Sequence, residues 1–327
     1  MDIKYGVPQG SVLGPLLFLI YINDLFTAIR FSTVFHFADD TNLLNINKSA
    51  KRLRKEMNFD LKSLYKWLLA NRISLNAAKT EIIFFHMPGH PPPYLNIKLN
   101  GKLLRPESHI KYLGMYIDSC LNFSYQAVDT LKKLNRGNGM LSKARHYVNE
   151  DIICNLYHSL FASHLLYGAQ IWGQSRNSHT EKLFKAQDKA LRIISFADFH
   201  APPDPLYSHF KILKLEDKIK ILNVIFVKQC FEKSTPTCFH NIFSLIEDVH
   251  NHETTLSKPG GIFTTHYNTV RFGIKSITAY CVRDWNKLII ECPTYCVTDA
   301  NNVTTEHPLN FQKCPFGLLK EELLIIF

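Results

Sequence analysis

Cysteine is sparse, long apolar runs are missing, and acids are outnumbered by bases. The 327 residues carry eight cysteines: Cys120, Cys154, Cys230, Cys238, Cys281, Cys292, Cys296 and Cys314. That is too few for this length to form a small disulfide framework. The expectation is mostly reduced thiols in an intracellular protein, nuclear or cytoplasmic and not secreted. The apolar run Leu16 to Ile22 is too short to span a bilayer. Lys4 precedes it, but Pro8, Gly10, Gly14 and Pro15 interrupt the approach, and Asn23-Asp24 closes it without a small-residue cleavage site. A signal peptide is therefore not expected, and neither is a membrane segment. P-loop, Gly-x-Ser-x-Gly and His-Glu-x-x-His patterns are absent, as are internal repeats and long low-complexity tracts. No endonuclease constellation is present.

Positive charge is in excess. Lys and Arg number 38 against 28 Asp and Glu, giving a formal charge of +10 and a pI near 9.1. Such an excess favours polyanionic partners, since each phosphate contact releases condensed counterions. With 46% hydrophobic and 20% charged residues the composition is that of a soluble globular chain. Its length suggests about two domains.

Residues 6–15 (GVPQGSVLGP) read as a tight irregular loop. Residues 16–29 are nearly all apolar and predict a buried helix, with Pro15 tolerated in its first turn. In 33–46 (TVFHFADDTNLLNI) two β-prone runs flank Asp39-Asp40, a hairpin with carboxylates at its tip. Leu53, Met57, Leu61, Leu64 and Leu68 recur at helical steps, with Lys51, Arg52, Lys55, Lys62 and Lys66 on the other face. Asn71 is a plausible stop. A buried strand is expected from Ile82 to Phe85 and a loop at 88–93. Asn100-Gly101 signals a type I′ hairpin across 95–104, and 109–118 reads as one further strand. Helices are expected near 124–147, 151–173 and 178–196, before a Pro-rich break at 201–205.

Two adjacent carboxylates at a strand tip repel each other. They persist at neutral pH if exposed, or if a cation neutralises them. Mg²⁺ takes oxygen ligands, typically one or two carboxylates plus substrate phosphates. Two-metal phosphoryl transfer uses such groups to stabilise attacking and leaving oxygens. An isolated Asp-Asp pair is also an ordinary surface turn, and its surroundings decide between the two readings.

Those surroundings carry a resemblance. GVPQGSVLGPLLFLIYINDL at 6–25 resembles the motif that follows the first catalytic strand of reverse-transcriptase palms. FADD at 37–40 resembles their aromatic-X-Asp-Asp motif. WLLANRISLNAAKTEIIFF at 67–85 is similar to the Leu-Asn-x-x-Lys-Thr motif, and HIKYLGMYIDSCLNF at 109–123 to the primer-grip segment. The order and spacing are family-like, and the wording is closest to non-LTR retrotransposon enzymes. Residues 156–173 and 183–195 are similar to the helical region downstream in those proteins, as is VRDWNKL at 282–288, more faintly.

The resemblance implies roles by position. Asp39 would bind catalytic Mg²⁺ or Mn²⁺, with Asp40 beside it as second carboxylate. Gln9, Gly10 and Ser11 would line the pocket where template base and incoming deoxynucleotide meet. Lys79 would approach the triphosphate, and Tyr112, Leu113 and Gly114 would hold the primer end. Each has a plainer reading as turn cap, solvated charge or sheet core. An RNA template and a DNA primer would be the partners. In this family the first metal-binding Asp lies on a strand before the GVPQGS loop, and here only MDIKY precedes that loop. Asp2 is the one carboxylate there, and the fingers are also missing. The expectation is a palm sheet short of a strand, with an unpaired edge or a hole, and a chain inactive by itself.

Residues 131–145 hold Lys132, Lys133, Arg136, Lys143 and Arg145 and no acid, a candidate nucleic-acid-binding helix face or an ordinary solvated one. Cys292, Cys296, His307 and Cys314 are spaced more loosely than a zinc knuckle, which argues against Zn²⁺. The fold class expected is α+β: a partial palm at 1–120, a helical thumb-like region at 121–200 and a mainly helical region at 201–327. Two functions stay open. One is an RNA-directed DNA polymerase piece, and the other is a basic nucleic-acid-binding remnant without chemistry. A viral RNA-dependent RNA polymerase is a weaker rival, because Ala38 stands where those enzymes usually have Gly. Oligomeric state is not legible.

Overall fold

In a computed structural model the described residues are 10–76, 79–90, 93, 95–174, 178–246, 261–264, 277–291 and 323–326. They divide into two units, Met1–Leu121 with Glu321–Phe327, and Asn122–Lys320.

The first unit mixes helix and strand. Helix α1 (Gly14–Ile22) starts on Pro15 and is followed by a 3₁₀ turn at Leu25–Ala28. Strands β1 (Thr33–Phe37) and β2 (Asp40–Asn45) pair antiparallel across a two-residue turn. Helix α2 (Ala50–Ala70) follows, with Leu53, Met57, Leu61, Leu64 and Leu68 all buried. Each such side chain stabilises by about 2 kcal/mol when removed from water. Strand β3 (Glu81–Ile83) comes next, then the hairpin β4 (Lys98–Leu99) and β5 (Lys102–Leu103). Asn100 and Gly101 both take positive φ, 47° and 76°, as a type I′ turn requires. After β6 (Pro106–Glu107), the segment read as one strand is a second hairpin, β7 (His109–Tyr112) and β8 (Met115–Asp118). Leu113 and Gly114 turn the chain with φ of 45° and 82°. A leucine there works against its side chain, so no local signal announced the turn.

One expectation is corrected here. Helix α1 is apolar all round, yet Leu16 and Ile20 are 55% and 65% exposed and only Ile22 of the helix is buried. Phe18 and Ile22 reach the α2 core, and the Tyr21 hydroxyl donates to the Asn71 carbonyl. The described elements cover one flank of α1, and burial needs a second layer on the other. Strand β11 (Leu323–Ile326) lies between β2 and β3, antiparallel to both. The order among the described residues is β1-β2-β11-β3-β6, which leaves β1 and β6 as edges.

The second unit is mostly helical. Helix α3 (Ser124–Ala144) packs along α7 (Ser178–Ile194). Between them in sequence come α4 (Glu150–Tyr157), a π-helical turn His158–Ala162, α5 (Ser163–Leu166) and α6 (Ala169–Trp172). Asn149 caps α4 by accepting from the Ile152 amide at 3.0 Å. A Cβ on Gly137 of α3 would meet the Leu160 carbonyl oxygen at 2.9 Å, so glycine sets how closely α3 approaches the π turn. Helices α8 (Asp204–His209) and α9 (Leu215–Phe231) follow. Gln187 of α7 ties α4 to the start of α9 from within the core. Its amide donates to the Tyr157 hydroxyl and the Leu213 carbonyl, and its oxygen accepts from the Leu215 amide. Burial pushes the Tyr157 hydroxyl up to about 12. Strands β9 (Phe243–Leu245) and β10 (Ile262–Thr264) form a small ribbon beside α10 (Ile277–Glu291). Among the described residues no helix is long and apolar enough to cross a membrane.

Candidate active site

The acidic pair sits where β1 turns into β2. Ala38 has φ of 53° and the pairing closes at Phe37 opposite Asp40, so Ala38-Asp39 is the turn and Asp40 opens β2. Asp39 is exposed and Asp40 half-buried. The hairpin is anchored from below. Asp60 of α2 is fully buried and accepts from the amides of Arg30 (3.0 Å), Phe31 (3.1 Å) and Ser32 (2.8 Å), and from the Ser32 hydroxyl (2.7 Å). A carboxylate holding three successive amides fixes the direction in which β1 leaves α2. Sequence reading missed Asp60. The signal was there, an acid among Met57, Leu61 and Leu64 on the apolar face. On β1 itself the His36 ring lies 3.1 Å from the Thr41 hydroxyl, and partial burial lowers the His36 pKa.

Sheet register brings other candidates to the same end. Asn42, Ile326 and Glu81 are in register across β2, β11 and β3. Both junctions are antiparallel, so β2 and β3 run parallel. Asp40 precedes Asn42 by two residues and Lys79 precedes Glu81 by two. Lys79, exposed in the turn before β3, therefore leads into the sheet from the Asp40 end. Tyr112 ends β7 and packs against the buried pair Ile83 and Ile110. Its hydroxyl pKa is raised, first by burial and then by the Asp40 carboxylate. Leu113 and Gly114 form the turn just beyond.

The remaining candidates divide. Gly10 is exposed with φ of 85°, and Ser11 accepts from the Gly14 amide at 3.2 Å through its hydroxyl, at the start of α1. Gln9 lies outside the described residues, as do Asp2 and the Cys292, Cys296, His307 and Cys314 set. In the second unit Lys132, Arg136 and Lys143 are exposed along one face of α3. Lys133 pairs with Asp129 at 2.8 Å. Arg145 donates to the Ile193 carbonyl at 2.9 Å and covers the Phe196 ring. Three of the five basic residues thus face solvent unpaired, and two are engaged within the fold.

The donor set fits a divalent cation only in part. Asp39 and Asp40 offer adjacent carboxylates, the number Mg²⁺ usually draws from protein. Asn42, on the same strand face as Asp40, is fully buried with its Oδ1 unpaired. The strand next to β2 is Leu-Leu-Ile-Ile and contributes no acid. Among the described residues no three His, Cys, Asp or Glu side chains converge on a metal position.

Residues 2–117 match the family described as reverse transcriptase (RNA-dependent DNA polymerase). The RNA-directed DNA polymerase from mobile element jockey of Drosophila melanogaster is 30% identical over 230 residues, 67% of this chain and 25% of that protein. The probable RNA-directed DNA polymerase from transposon BS of the same fly is 27% identical over 234 residues, 66% of this chain and 25% of that protein. The chain belongs to the reverse transcriptases of non-LTR retrotransposons. The retrovirus-related Pol polyprotein from type-1 retrotransposable element R1 of Bradysia coprophila is a further relative, 28% identical over 178 residues, covering 52% of this chain and 18% of that protein. The chain spans about a quarter of the length of the first relatives it matches. No solved structure matches it. The family match ends at residue 117, just before the second unit begins at Asn122.

Proposed function

We propose that these residues form the palm and an adjoining thumb-like part of an RNA-directed DNA polymerase that copies an RNA template from a DNA primer. The observation that carries this reading is the Asp39-Asp40 turn between β1 and β2, with Lys79 leading into β3 from the same end of that sheet. Asp39 and Asp40 would hold Mg²⁺ or Mn²⁺, which when bound neutralises and aligns the phosphates. Lys79 meets the charge of the incoming triphosphate. Tyr112, Leu113 and Gly114 would hold the primer end, and Gln9, Gly10 and Ser11 would line the pocket where template base and incoming deoxynucleotide meet. Lys132, Arg136 and Lys143 contact template–primer phosphates without reading sequence. Such an element acts inside the cell, in nucleus or cytoplasm.

The 327 residues by themselves bind template–primer and do not extend it, because two-metal chemistry needs several ligands at once and, among the described residues, the turn offers Asp39 and Asp40 alone. The test is primer extension on an RNA template with Mg²⁺ or Mn²⁺, run beside salt-dependent binding of the same duplex. Extension that Asp39→Ala and Asp40→Ala abolish would show a complete site and refute the incompleteness. Absence of both extension and binding would remove the polymerase reading and the reading as a non-catalytic nucleic-acid-binding remnant together.

A further inference from the structure

The second unit carries a surface that the polymerase reading does not use. At the C-terminal end of α3 and in the loop after α7, aromatic rings stand in solvent beside cations. Tyr147 is 88% exposed, Phe199 75% and Phe196 57%. The Arg145 guanidinium lies 4.4 Å over the Phe196 ring, and His146 meets the same ring edge-on at 5.4 Å. His200 packs edge-on to Phe199 at 5.1 Å.

The surface is built, not frayed. Arg145 is tied to the Ile193 carbonyl at 2.9 Å, and Arg192 Nε to the Ala201 carbonyl at 2.8 Å, so the end of α3 and the far part of the loop are both stapled to α7. Phe196 is the left-handed residue that ends α7, with φ of 55° and the next amide, Ala197, donating back to the Arg192 carbonyl at 3.1 Å.

The charge beside the rings selects the partner. The exposed groups are rings, one stacked guanidinium and two imidazoles. Lys143 lies one turn back along α3, and Arg136 and Lys132 continue the basic stripe from there. Nearby acids are few. Asp198 is in the loop, Glu150 is paired with His209 at 2.9 Å, and Asp151 follows it. A basic track ending in exposed rings is the arrangement that binds single-stranded nucleic acid, with phosphates on the track and bases on the rings.

We propose that Tyr147, Phe196 and Phe199 form a stacking platform for unpaired bases, taking a single-stranded stretch that continues from the duplex on the α3 stripe. The proposal rests on the nucleic-acid-binding part of the function above and adds a single-strand site to it. Arg145 and His146 hold the Phe196 ring and supply charge, and Tyr147 and Phe199 present open faces.

The test uses the full chain and fluorescence anisotropy with two probes, a labelled oligothymidylate and a labelled blunt RNA–DNA duplex. Tyr147 and Phe199 are exposed, so Tyr147→Ala with Phe199→Ala leaves the fold intact. The double variant should bind the single strand roughly tenfold more weakly or worse. Duplex affinity and the salt dependence of both should stay within about twofold, because no phosphate contact is lost. Tyr147→Trp with Phe199→Trp should restore single-strand binding. Unchanged single-strand affinity in the alanine variant overturns the platform and leaves the patch as a protein contact. An equal loss on both probes overturns it too, since that marks general damage. If the parent binds neither probe, the function proposed above fails with it, an outcome distinct from the first two.

Discussion

Asp60 offers the sharpest test of how the acidic turn is held. Asp60→Ala removes the acceptor for three successive amides and one hydroxyl, at distances of 2.7 to 3.1 Å. A buried donor left without a partner costs about 1–3 kcal/mol. Arg30 and Phe31 are exposed residues, so water can reach some of the freed amides. The net loss should therefore lie near 3 kcal/mol, not at the sum. With a urea m-value of about 2 kcal/mol/M, that is a midpoint shift of about 1.5 M for the unit containing residues 1–121. Asp60→Asn keeps one acceptor oxygen but turns an NH₂ toward donors, so it should recover less than half of the loss. Hydrogen exchange read by mass spectrometry should speed up first at residues 30–34 and then along β1. A midpoint shift under about 0.3 M with no change in exchange there would show that the amides find other partners, and the anchoring argument would be wrong.

Other consequences are more local. Gly137→Ala drives a Cβ into the Leu160 carbonyl at 2.9 Å, backbone against backbone, and should cost about 1–3 kcal/mol in the thermal unfolding of the helical unit. Glu56, nearly buried, has its pKa lowered, chiefly by the Arg52 hydrogen bond at 2.7 Å and secondarily by Asn47. A carboxylate with a depressed folded pKa contributes stability above its unfolded value, and that stability is lost as pH falls through the folded one. Glu56→Gln should therefore flatten the acid limb of a stability–pH curve below about 4.5 and leave the neutral region less stable than the parent. Replacing Lys132, Arg136 or Lys143 with Ala should each reduce the salt slope of duplex binding by about 0.7–0.9, whereas Lys133→Ala, whose charge is already paired, should change it less. Slopes equal to the parent's for all four variants would remove α3 from the binding face.

What was readable in the sequence was local. The periodicity of Leu53, Met57, Leu61, Leu64 and Leu68 predicted a helix, and α2 runs Ala50–Ala70 with those residues inward. Asn100-Gly101 predicted a tight hairpin because these two residues tolerate positive φ, and both adopt it. The acidic turn was legible from β-prone runs on either side, and its motif neighbours pointed to the family. Where chemistry and local preference disagree, the sequence was silent. Leu113 occupies a turn position that its side chain opposes, so β7 and β8 read as one strand.

Burial and long-range pairing were decided only in three dimensions. The apolar residues of α1 called for a covered helix, but covering depends on what another element brings, and the described elements reach one flank. The place of Leu323–Ile326 between β2 and β3 could not be read from either neighbourhood, since pairing across some 240 residues to β3 and some 280 to β2 leaves no periodic trace. That same pairing sets Asp40 and Lys79 at one sheet end. The basic residues of α3 looked alike in sequence, and packing separated them into solvent-facing Lys132, Arg136 and Lys143 and engaged Lys133 and Arg145. Residue type and spacing determined which elements form, because hydrogen bonding and side-chain period are properties of nearby residues. Which faces meet, and which groups are left for a ligand, depended on contacts between elements far apart in the chain.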